Sequence, residues 1–368
     1  MTTQEELTVP SLGPARYVSP LAAKGRHFPD PSIRVRMQAR VGNDELEGQD
    51  LTFEKAGPRE RIYFDPARTT AAYVTCGGLA PGLNNTIRSG FYELYHNYGV
   101  RRVLGIRNGY RGLVLSEGLD PIELTADFVD DINDIGGTVL GTSRGGRDAA
   151  DIVDFLEEHE IDILFCIGGD GTQRGAHAIE QEVRARGGKR SIVGIPKTID
   201  NDVAYVYTSF GYVTALEEAA EVLRAAHVEA RCHPGGVGLV KLMGRDAGFI
   251  AAGAAVASQE VNFVLVPEVR FPLEGPGGFL EALEQRVVAR DHAVVVVAEG
   301  AGQHLFASAD ASTDASGNKR YRDIGIFLRD RIRQHFAERG IEMTVSYTHL
   351  RAHETGSGIA YAVFCLKR

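Results

Sequence analysis

The feature of this chain that most constrains its fold is a repeating order of apolar strand, glycine turn and amphipathic helix, which begins near Ala71. Short apolar runs alternate with segments whose apolar residues recur at helical spacing. Strands that alternate with helices form right-handed βαβ units around a parallel sheet. The sequence therefore predicts an α/β protein with mainly parallel sheets.

The repeat occurs in two sets, and the second set begins after Asp202. We therefore expect two Rossmann-like three-layer domains, at 61–212 and 213–345, behind an N-terminal extension at 1–60. Ligands of such sheets bind at the carboxyl ends of the strands, so the site is expected in a cleft between the domains. Strands are predicted at 71–75, 103–106, 161–167, 191–195, 236–243, 262–266 and 293–298. Helices are predicted at 84–98, 126–135, 148–159, 173–186, 210–227, 247–258, 277–290 and 324–339, with a short strand near 62–64 and a surface loop at 307–319.

Composition narrows the class of protein. The 368 residues carry a net charge of −9, which argues against coating nucleic acid or an anionic membrane. The four cysteines have no paired spacing, and Cys166 lies inside an apolar strand, so a reduced cytoplasmic setting is expected. No apolar run approaches the length of a membrane span.

The apolar strand predicted at 161–167 runs into Gly168-Gly-Asp-Gly-Thr172. Glycines allow backbone N–H groups to approach phosphate oxygens, and the positive end of a following helix would point at the same place. Asp170 could hold Mg²⁺ on those phosphates. The alternative is a capped helix start, with Asp170 or Thr172 as the cap.

A second strand, at 191–195, leads into Thr198, Asp200 and Asp202. Their spacing of two places a hydroxyl and two carboxylates on one side of an extended segment. Asp200 could accept the proton of a substrate hydroxyl, while the preceding Lys197 could hold a phosphate or neutralise the carboxylates. The alternative is an Asx-type turn in which Asp200, Asn201 and Asp202 cap backbone N–H groups.

Three glycine-rich or basic segments could add phosphate contacts. Gly78 lies in a turn that closes the first strand, and Ser143, Arg144 and Gly145 open a later helix. Glycine in such turns can also serve packing, and Arg144 could simply be solvated. Lys241 is predicted either at the cleft or as a snorkelling lysine of an edge strand.

Strand ends of the second domain supply further polar groups. Gly244 would allow a ligand to approach the backbone closely. Arg245 carries a planar charge that suits a phosphoryl group in transfer. Glu268 and Glu299 each follow a strand and could bind sugar hydroxyls or cap helices.

Taken in order, these blocks resemble those of the 6-phosphofructokinase family, from about Phe64 to about Val345. The matching blocks are Gly-Gly-x-x-Pro-Gly-x-Asn at 77–84, Gly-Gly-Asp-Gly-Thr at 168–172, Pro-Lys-Thr-Ile-Asp-Asn-Asp at 196–202, Met-Gly-Arg at 243–245 and Pro-Glu at 267–268. The segments 171–176, 239–245 and 273–278 resemble the long subgroup of plants and trypanosomatids, which mostly uses ATP.

The resemblance implies a cytoplasmic, allosteric glycolytic kinase that forms homodimers or homotetramers. With Mg²⁺, such a kinase transfers a phosphoryl group from ATP to O1 of fructose 6-phosphate. Asp200 would be the base, Arg245 the transition-state cation and Asp170 the Mg²⁺ ligand, with Thr198 and Lys197 completing the catalytic group. The domain at 61–212 would bind the donor through Gly78, Ser143, Arg144, Gly145, Gly169, Asp170, Gly171 and Thr172. The domain at 213–345 would bind the sugar phosphate, together with Thr198, Ile199, Asp200, Asp202, Lys241, Met243, Gly244, Arg245 and Glu268.

Two residues bear on the donor, and they point in opposite directions. In this family a glycine at position 171 leaves room for the α-phosphate of ATP, whereas Lys197 is associated with pyrophosphate enzymes. ATP is the expected donor and pyrophosphate the alternative. NAD and lipid kinases share the Gly-Gly-Asp-Gly turn but lack the other blocks.

The chain departs from the family in two places. Gly236 stands where ordinary bacterial members have an arginine for the substrate phosphate, and the resemblance to the long subgroup implies that Lys241 replaces part of that charge. After Val345 the sequence reads Ser346-Tyr-Thr-His-Leu-Arg-Ala-His-Glu-Thr355, which resembles translated adapter sequence. Residues 346–368 are therefore expected to be non-native, which leaves a catalytically inactive binding subunit as a further alternative.

Overall fold

A computed structural model of the chain describes residues 4–5, 7–36, 51–306 and 320–350. The surface loop expected at 307–319, and residues 351–368 of the expected tail, lie outside these ranges. The strands are β1 (Tyr17–Val18), β2 (Arg34–Arg36), β3 (Thr52–Glu54), β4 (Arg61–Ile62), β5 (Thr70–Thr75), β6 (Arg102–Ile106), β7 (Ile122–Glu123), β8 (Ile163–Gly168), β9 (Ser191–Pro196), β10 (Gly236–Leu242), β11 (Phe263–Leu265), β12 (His292–Ala298) and β13 (Thr344–Leu350). The α-helices are α1 (Leu83–Tyr92), α2 (Ala126–Val129), α3 (Ala149–Glu158), α4 (Asp170–Ala185), α5 (Tyr212–Arg231), α6 (Phe249–Ser258), α7 (Phe279–Arg290) and α8 (Ile324–Glu338).

The first domain is a five-stranded sheet between two layers of helices. Its strand order is β7, β6, β5, β8, β9, and only β7 runs antiparallel to its neighbour. Alternate residues of β5 enter different cores: Ala72 and Val74 pack with α3 and α4, whereas Tyr73 packs with α1. Because β5 is covered on both faces, all of its residues are buried, as its apolar sequence predicts.

The second domain is a four-stranded parallel sheet in the order β11, β12, β10, β13. Its core joins the valine-rich β12 to apolar residues of α5, α6, α7 and α8. Ala80 and Ile199 of the first domain belong to the same cluster. The two domains therefore share apolar contacts next to the predicted site, and the predicted α/β architecture is confirmed.

Most predicted elements occur where they were expected, and the helices differ at their ends. The helix expected at 126–135 is only α2 followed by a 3₁₀ turn at Ile132–Asp134. Aspartates at 130, 131 and 134 explain this, because aspartate has a low helix propensity. Residues 93–98 continue α1 as a π-helical segment. No helix in the described part of the chain is long and apolar enough to cross a membrane.

The N-terminal extension contributes two small antiparallel pairs, β1 with β4 and β2 with β3. The extension contacts the first domain, where the Lys24 amine donates a hydrogen bond of 3.1 Å to Asn97 Oδ1. The Phe53 ring also packs edge-on against Tyr205, with ring centroids 5.6 Å apart. The extension thus reaches the loop that follows Asp202.

The fold continues past the expected boundary at Val345. Residues 346–350 belong to β13, which pairs with β10 in parallel register from Gly236↔Thr344 to Leu242↔Leu350. β-Branched and aromatic residues such as Thr344 and Tyr347 suit a strand, and β10 offers an unpaired edge. Residues 346–350 are therefore part of the second sheet, while the non-native origin of the tail stays a prediction.

Candidate active site

Two glycine-rich turns, after β5 and β8, meet the loop that follows β9 at the carboxyl ends of these strands. The Cys76 amide donates to the Ile167 carbonyl at 2.9 Å, and the Lys197 amide donates to the Gly168 carbonyl at 2.9 Å. The loop at 142–145 joins them, because the Thr142 hydroxyl donates to the Gly77 carbonyl at 2.8 Å. The parallel sheet thus brings together the segments predicted to bind the phosphoryl donor.

The turn at 168–172 leads directly into α4. A Cβ on Gly168 would lie 2.2 Å from Thr172 Oγ1, so only glycine fits there. The helix begins at Asp170, without a side-chain cap, and the Asp170 carboxylate is exposed and paired with Arg174. The capped-helix alternative is therefore wrong, since neither Asp170 nor Thr172 caps α4. The helix N-terminus remains available for an anion.

Lys197 lies beneath the first glycine turn. Its side chain is 4% exposed, and its amine donates a hydrogen bond to the Gly78 carbonyl. The pKa of this lysine is lowered to about 8, chiefly by burial and also by nearby Arg144, whereas Cys76 and Asp200 oppose the shift. The lysine therefore connects the donor turns to the carboxylate that follows β9.

The loop after β9 is held by its uncharged polar residues. The Ser209 hydroxyl donates to the Thr198 carbonyl at 2.6 Å, and the Asp200 amide donates to Thr198 Oγ1 at 3.1 Å. Asn201, with φ of 55°, accepts from the Ser209 amide and donates to the Tyr207 carbonyl. The predicted turn alternative thus applies to Asn201, while the acidic side chains are left for other partners.

Asp200 faces the second domain from a half-buried position. Its Oδ2 atom lies 3.8 Å from the Arg245 Nε atom, and 14% of the side chain is exposed. Burial raises the pKa of Asp200 to about 7, and the negative charges of Asp202 and Glu299 act in the same direction. Arg245 and Lys197 oppose this shift only in part. The carboxyl group is thus tuned to exchange protons near neutral pH.

The turn after β10 presents Arg245. Its backbone is left-handed, with φ of 50°, and its amide donates to Glu299 Oε1 at 3.0 Å. Close packing requires glycine on both sides: a Cβ on Gly244 would lie 2.5 Å from the Ala247 carbonyl oxygen, and one on Gly300 would lie 2.1 Å from the Arg245 carbonyl oxygen. The Arg245 side chain is 43% exposed, so a ligand in the cleft can reach it.

The two glutamates at strand ends hold backbone groups. Glu268 Oε1 accepts from the Gly248 amide at 2.8 Å, at the start of α6. Glu299 holds the Arg245 turn instead of a helix, so its predicted helix-cap role is wrong. Ile199 and Met243 are buried among the apolar residues of the second domain and support the turns by packing.

Lys241 is not the snorkelling lysine of an edge strand, because β10 is a central strand of its sheet. The residue lies in β10, between β12 and β13, and only 5% of it is exposed. Its amine forms an ion pair of 2.8 Å with Asp323 Oδ2. The lysine is thus paired with a carboxylate whose side chain is 35% exposed. Its proposed contact with substrate stays a prediction.

Sequence reasoning missed several polar residues around these turns. Asp323 could have been found, because an aspartate before an amphipathic helix is a capping signal and it does cap α8. Tyr321, Asp246 and Gln303 carry no local signal. Burial and the neighbouring Asp246 raise the pKa of Tyr321.

A magnesium ion fits this site only with phosphate as a co-ligand. In the described ranges no three His, Cys, Asp or Glu side chains are grouped to hold a metal. Asp170 nevertheless offers an exposed carboxylate at the donor turn, once Arg174 releases it. One carboxylate together with phosphate oxygens and water is a common environment for Mg²⁺ in proteins.

Two α/β domains that place a carboxylate and a guanidinium opposite glycine-rich turns define a phosphotransferase of the two-domain α/β class. The profile of the phosphofructokinase family matches residues 70–356. The chain belongs to this family. The match extends past Val345, where the resemblance was expected to end.

Similar proteins from a bacterium and a plant are both named ATP-dependent 6-phosphofructokinase. The chain is 45% identical over 354 residues to an ATP-dependent 6-phosphofructokinase of Borreliella burgdorferi, covering 93% of this chain and 79% of the relative. It is 48% identical over 297 residues to ATP-dependent 6-phosphofructokinase 7 of Arabidopsis thaliana, covering 80% and 61% of the two chains. A solved pyrophosphate-dependent phosphofructokinase from Marinobacter aquaeolei shares the fold, with a TM-score of 0.62 at 22% identity, covering 79% and 70%.

Proposed function

We propose that this chain has ATP-dependent 6-phosphofructokinase activity. It would transfer the γ-phosphoryl group of ATP to O1 of fructose 6-phosphate. The observation that carries the proposal is the pair of Asp200 and Arg245, 3.8 Å apart and next to the glycine-rich turns. Relatives of that name at 45–48% identity support the choice of reaction.

Asp200 would act as the general base. Its carboxylate would accept the proton of the sugar O1 hydroxyl as that oxygen bonds to the γ-phosphorus, while the bond from the γ-phosphorus to the β,γ-bridging oxygen breaks and ADP leaves. A carboxylate with a pKa of about 7 is a stronger base than an ordinary aspartate and is still about half ionised at neutral pH. Thr198 and Lys197 support this group, through the Asp200 amide and through charge.

Arg245 would stabilise the negative charge of the phosphoryl group in transfer. Its position opposite Asp200 favours contact with the reacting phosphate, since the two side chains border the same space. On the donor side, the amides at the start of α4 and the open turns at Gly78 and Gly171 would receive the phosphates. Ser143, with a buried hydroxyl that has no partner in the described structure, could donate to a phosphate oxygen.

ATP is the proposed donor because space is available at Gly171. A Cβ at that position would meet nothing within 4 Å, so the α-phosphate of a nucleotide can be accommodated. When bound, Mg²⁺ would neutralise charge on the donor phosphates, and Asp170 is the residue that would hold it. Thr198, Asp202, Gly244 and Glu268 would surround the sugar phosphate.

The cellular location and the assembly of the enzyme are also part of the proposal. Cys76 and Cys166 are buried free thiols, which supports the expected cytoplasmic location. A homo-oligomer and an allosteric effector stay predictions from the family resemblance.

The test is phosphoryl transfer to fructose 6-phosphate, measured with ATP and with pyrophosphate in parallel. We expect turnover with ATP and Mg²⁺, and little with pyrophosphate. Turnover with pyrophosphate alone would overturn the choice of donor. No turnover with either donor, together with measurable binding of fructose 6-phosphate, would favour the binding subunit.

A further inference from the structure

The Arg245 turn rests on the turn that follows β12. The Arg245 amide donates to the Glu299 carboxylate at 3.0 Å, and Gly300 packs against the Arg245 carbonyl. Anything that orients residues 299–300 therefore also orients Arg245. The position of the guanidinium depends on groups that do not touch the reacting atoms.

Gln303 joins that turn to a second segment. Its amide nitrogen donates to the Glu299 carbonyl at 3.2 Å and to the Arg322 carbonyl at 3.1 Å. Its amide oxygen accepts from the Arg322 amide at 3.2 Å. One side chain thus makes three backbone hydrogen bonds and ties the turn after β12 to the backbone of Arg322.

Asp323 is the other attachment of the same segment. Its carboxylate pairs with the Lys241 amine at 2.8 Å and accepts from the Gly325 and Ile326 amides at 3.1 Å each. The Tyr347 hydroxyl also donates to it, at 3.1 Å. The carboxylate therefore connects β10, α8 and β13 at one point.

Between these attachments lies Tyr321. Its hydroxyl interacts with the Asp246 carboxylate, the residue that follows Arg245. Arg245 and Glu299 also act on Tyr321 through their charges. The segment at 320–323 therefore forms one wall of the Arg245 turn.

We propose that Gln303 and Asp323 are positioning residues for Arg245. They hold the 320–323 segment so that Tyr321 meets Asp246 and the turn presents its guanidinium to Asp200. The proposal rests on the proposed function, because it assigns the purpose of this arrangement to the reaction at Asp200. It also gives Lys241 a structural partner in place of a free amine at the cleft.

The first test does not need turnover. Hydrogen–deuterium exchange of a peptide spanning 243–248 is compared in wild type, Gln303→Leu and Tyr321→Phe. We expect faster exchange in both variants, because the Arg245 amide loses its support. The controls are Gln334→Leu and Tyr92→Phe, which remove comparable surface hydrogen bonds to Glu338 and Asp130. Unchanged exchange in both test variants would overturn the proposal.

Kinetics give the second test. We expect Tyr321→Phe to lower kcat about tenfold while the KM for fructose 6-phosphate changes less than about twofold. In an Arg245→Ala background the same change should have no further effect, because Tyr321 acts through Arg245. Independent, multiplying losses would contradict the proposal. An inactive wild type would refute the proposed function, whereas the exchange experiment would still decide the positioning role.

Discussion

The Asp200 carboxylate and the Arg245 guanidinium lie 3.8 Å apart, close enough to attract but too far for a strong direct hydrogen bond. The attraction does not dominate the carboxylate, since burial and two neighbouring negative charges raise its pKa to about 7. A tighter ion pair would favour the ionised form and weaken the base. The separation therefore leaves Asp200 basic and leaves Arg245 able to bind a phosphoryl group.

Replacing Asp200 by asparagine tests the base directly. Asp200→Asn keeps the size of the side chain but removes proton acceptance, and we expect kcat to fall by about 10²–10⁴-fold. The KM for fructose 6-phosphate should change little. Steady-state kinetics with ATP measures both. Asp120→Asn, a change at an exposed aspartate outside the site, is the control, and a loss of less than about threefold in Asp200→Asn would remove Asp200 from the role of base.

The acid side of the pH profile should report Asp200. As the pH falls through about 7 the carboxylate becomes protonated, so kcat/KM for fructose 6-phosphate should decline. The negative charge of Asp202 helps to raise this pKa, so Asp202→Asn should move the decline to lower pH. The measurement is kcat/KM from pH 5 to pH 9 in both proteins. A decline that stays in place would show that Asp202 does not act on the base.

The same carboxyl group should lower the stability of the fold at neutral pH. Its pKa is about 7 in the folded protein against 3.8 in the reference state, so the folded protein retains a proton that unfolding releases. Its contribution to stability therefore falls as the pH rises from about 4 to about 7. Asp200→Asn lacks this loss, so its Tm advantage over wild type should grow across that range. Thermal unfolding at pH 5 and pH 8 tests this, and an equal Tm difference at both values would contradict it.

Gly171 offers a graded test of donor choice. Gly171→Ala places a methyl group in open space, so the variant should fold and still use ATP. Gly171→Asp adds a carboxylate where the nucleotide phosphates would lie, and we expect kcat/KM for ATP to fall by at least about 100-fold. Kinetics with ATP and pyrophosphate compares the three proteins. Equal use of ATP by the aspartate variant would show that the α-phosphate lies elsewhere.

Variants of Lys241 can distinguish a structural role of this lysine from a role in substrate binding. Lys241→Met leaves Asp323 without its cation, and we expect a stability loss of about 2–3 kcal/mol, below that of a fully buried pair because the Asp323 side chain is 35% exposed. Urea unfolding measures the loss. The double variant Lys241→Met with Asp323→Asn should recover part of it, since no unpaired charge remains. A variant of normal stability with a sharply raised KM for fructose 6-phosphate would instead support substrate binding by Lys241.

Much of the fold could be predicted because its signals are local. Apolar runs mark β5, β8 and β9, glycine turns follow the first two, and the boundaries differ by only a few residues. The strand at 344–350 was missed because its sequence looked foreign, although parallel pairing with β10 depends on backbone groups that any sequence supplies.

Some residues of the candidate site could be predicted from the sequence, and others could not. Asp200 and Arg245 lie in recognisable blocks and do meet across the domains. Lys241 could not be placed, because its environment depends on β10 being a central strand and on Asp323 arriving from a distant helix. The spacing of nearby residues in the sequence does not reveal which distant residue will become a side chain's partner.

The sequence by itself determined the α/β class, the glycine turns at strand ends and the presence of carboxylate, lysine and arginine groups beside them. These follow from periodicity and from the conformations that glycine permits. Only the tertiary structure decided that Lys197 and Lys241 are buried, that Glu299 holds the Arg245 turn and that Asp200 has a raised pKa. Burial and charge depend on neighbours brought together from both domains, and those neighbours are set by packing across the whole chain.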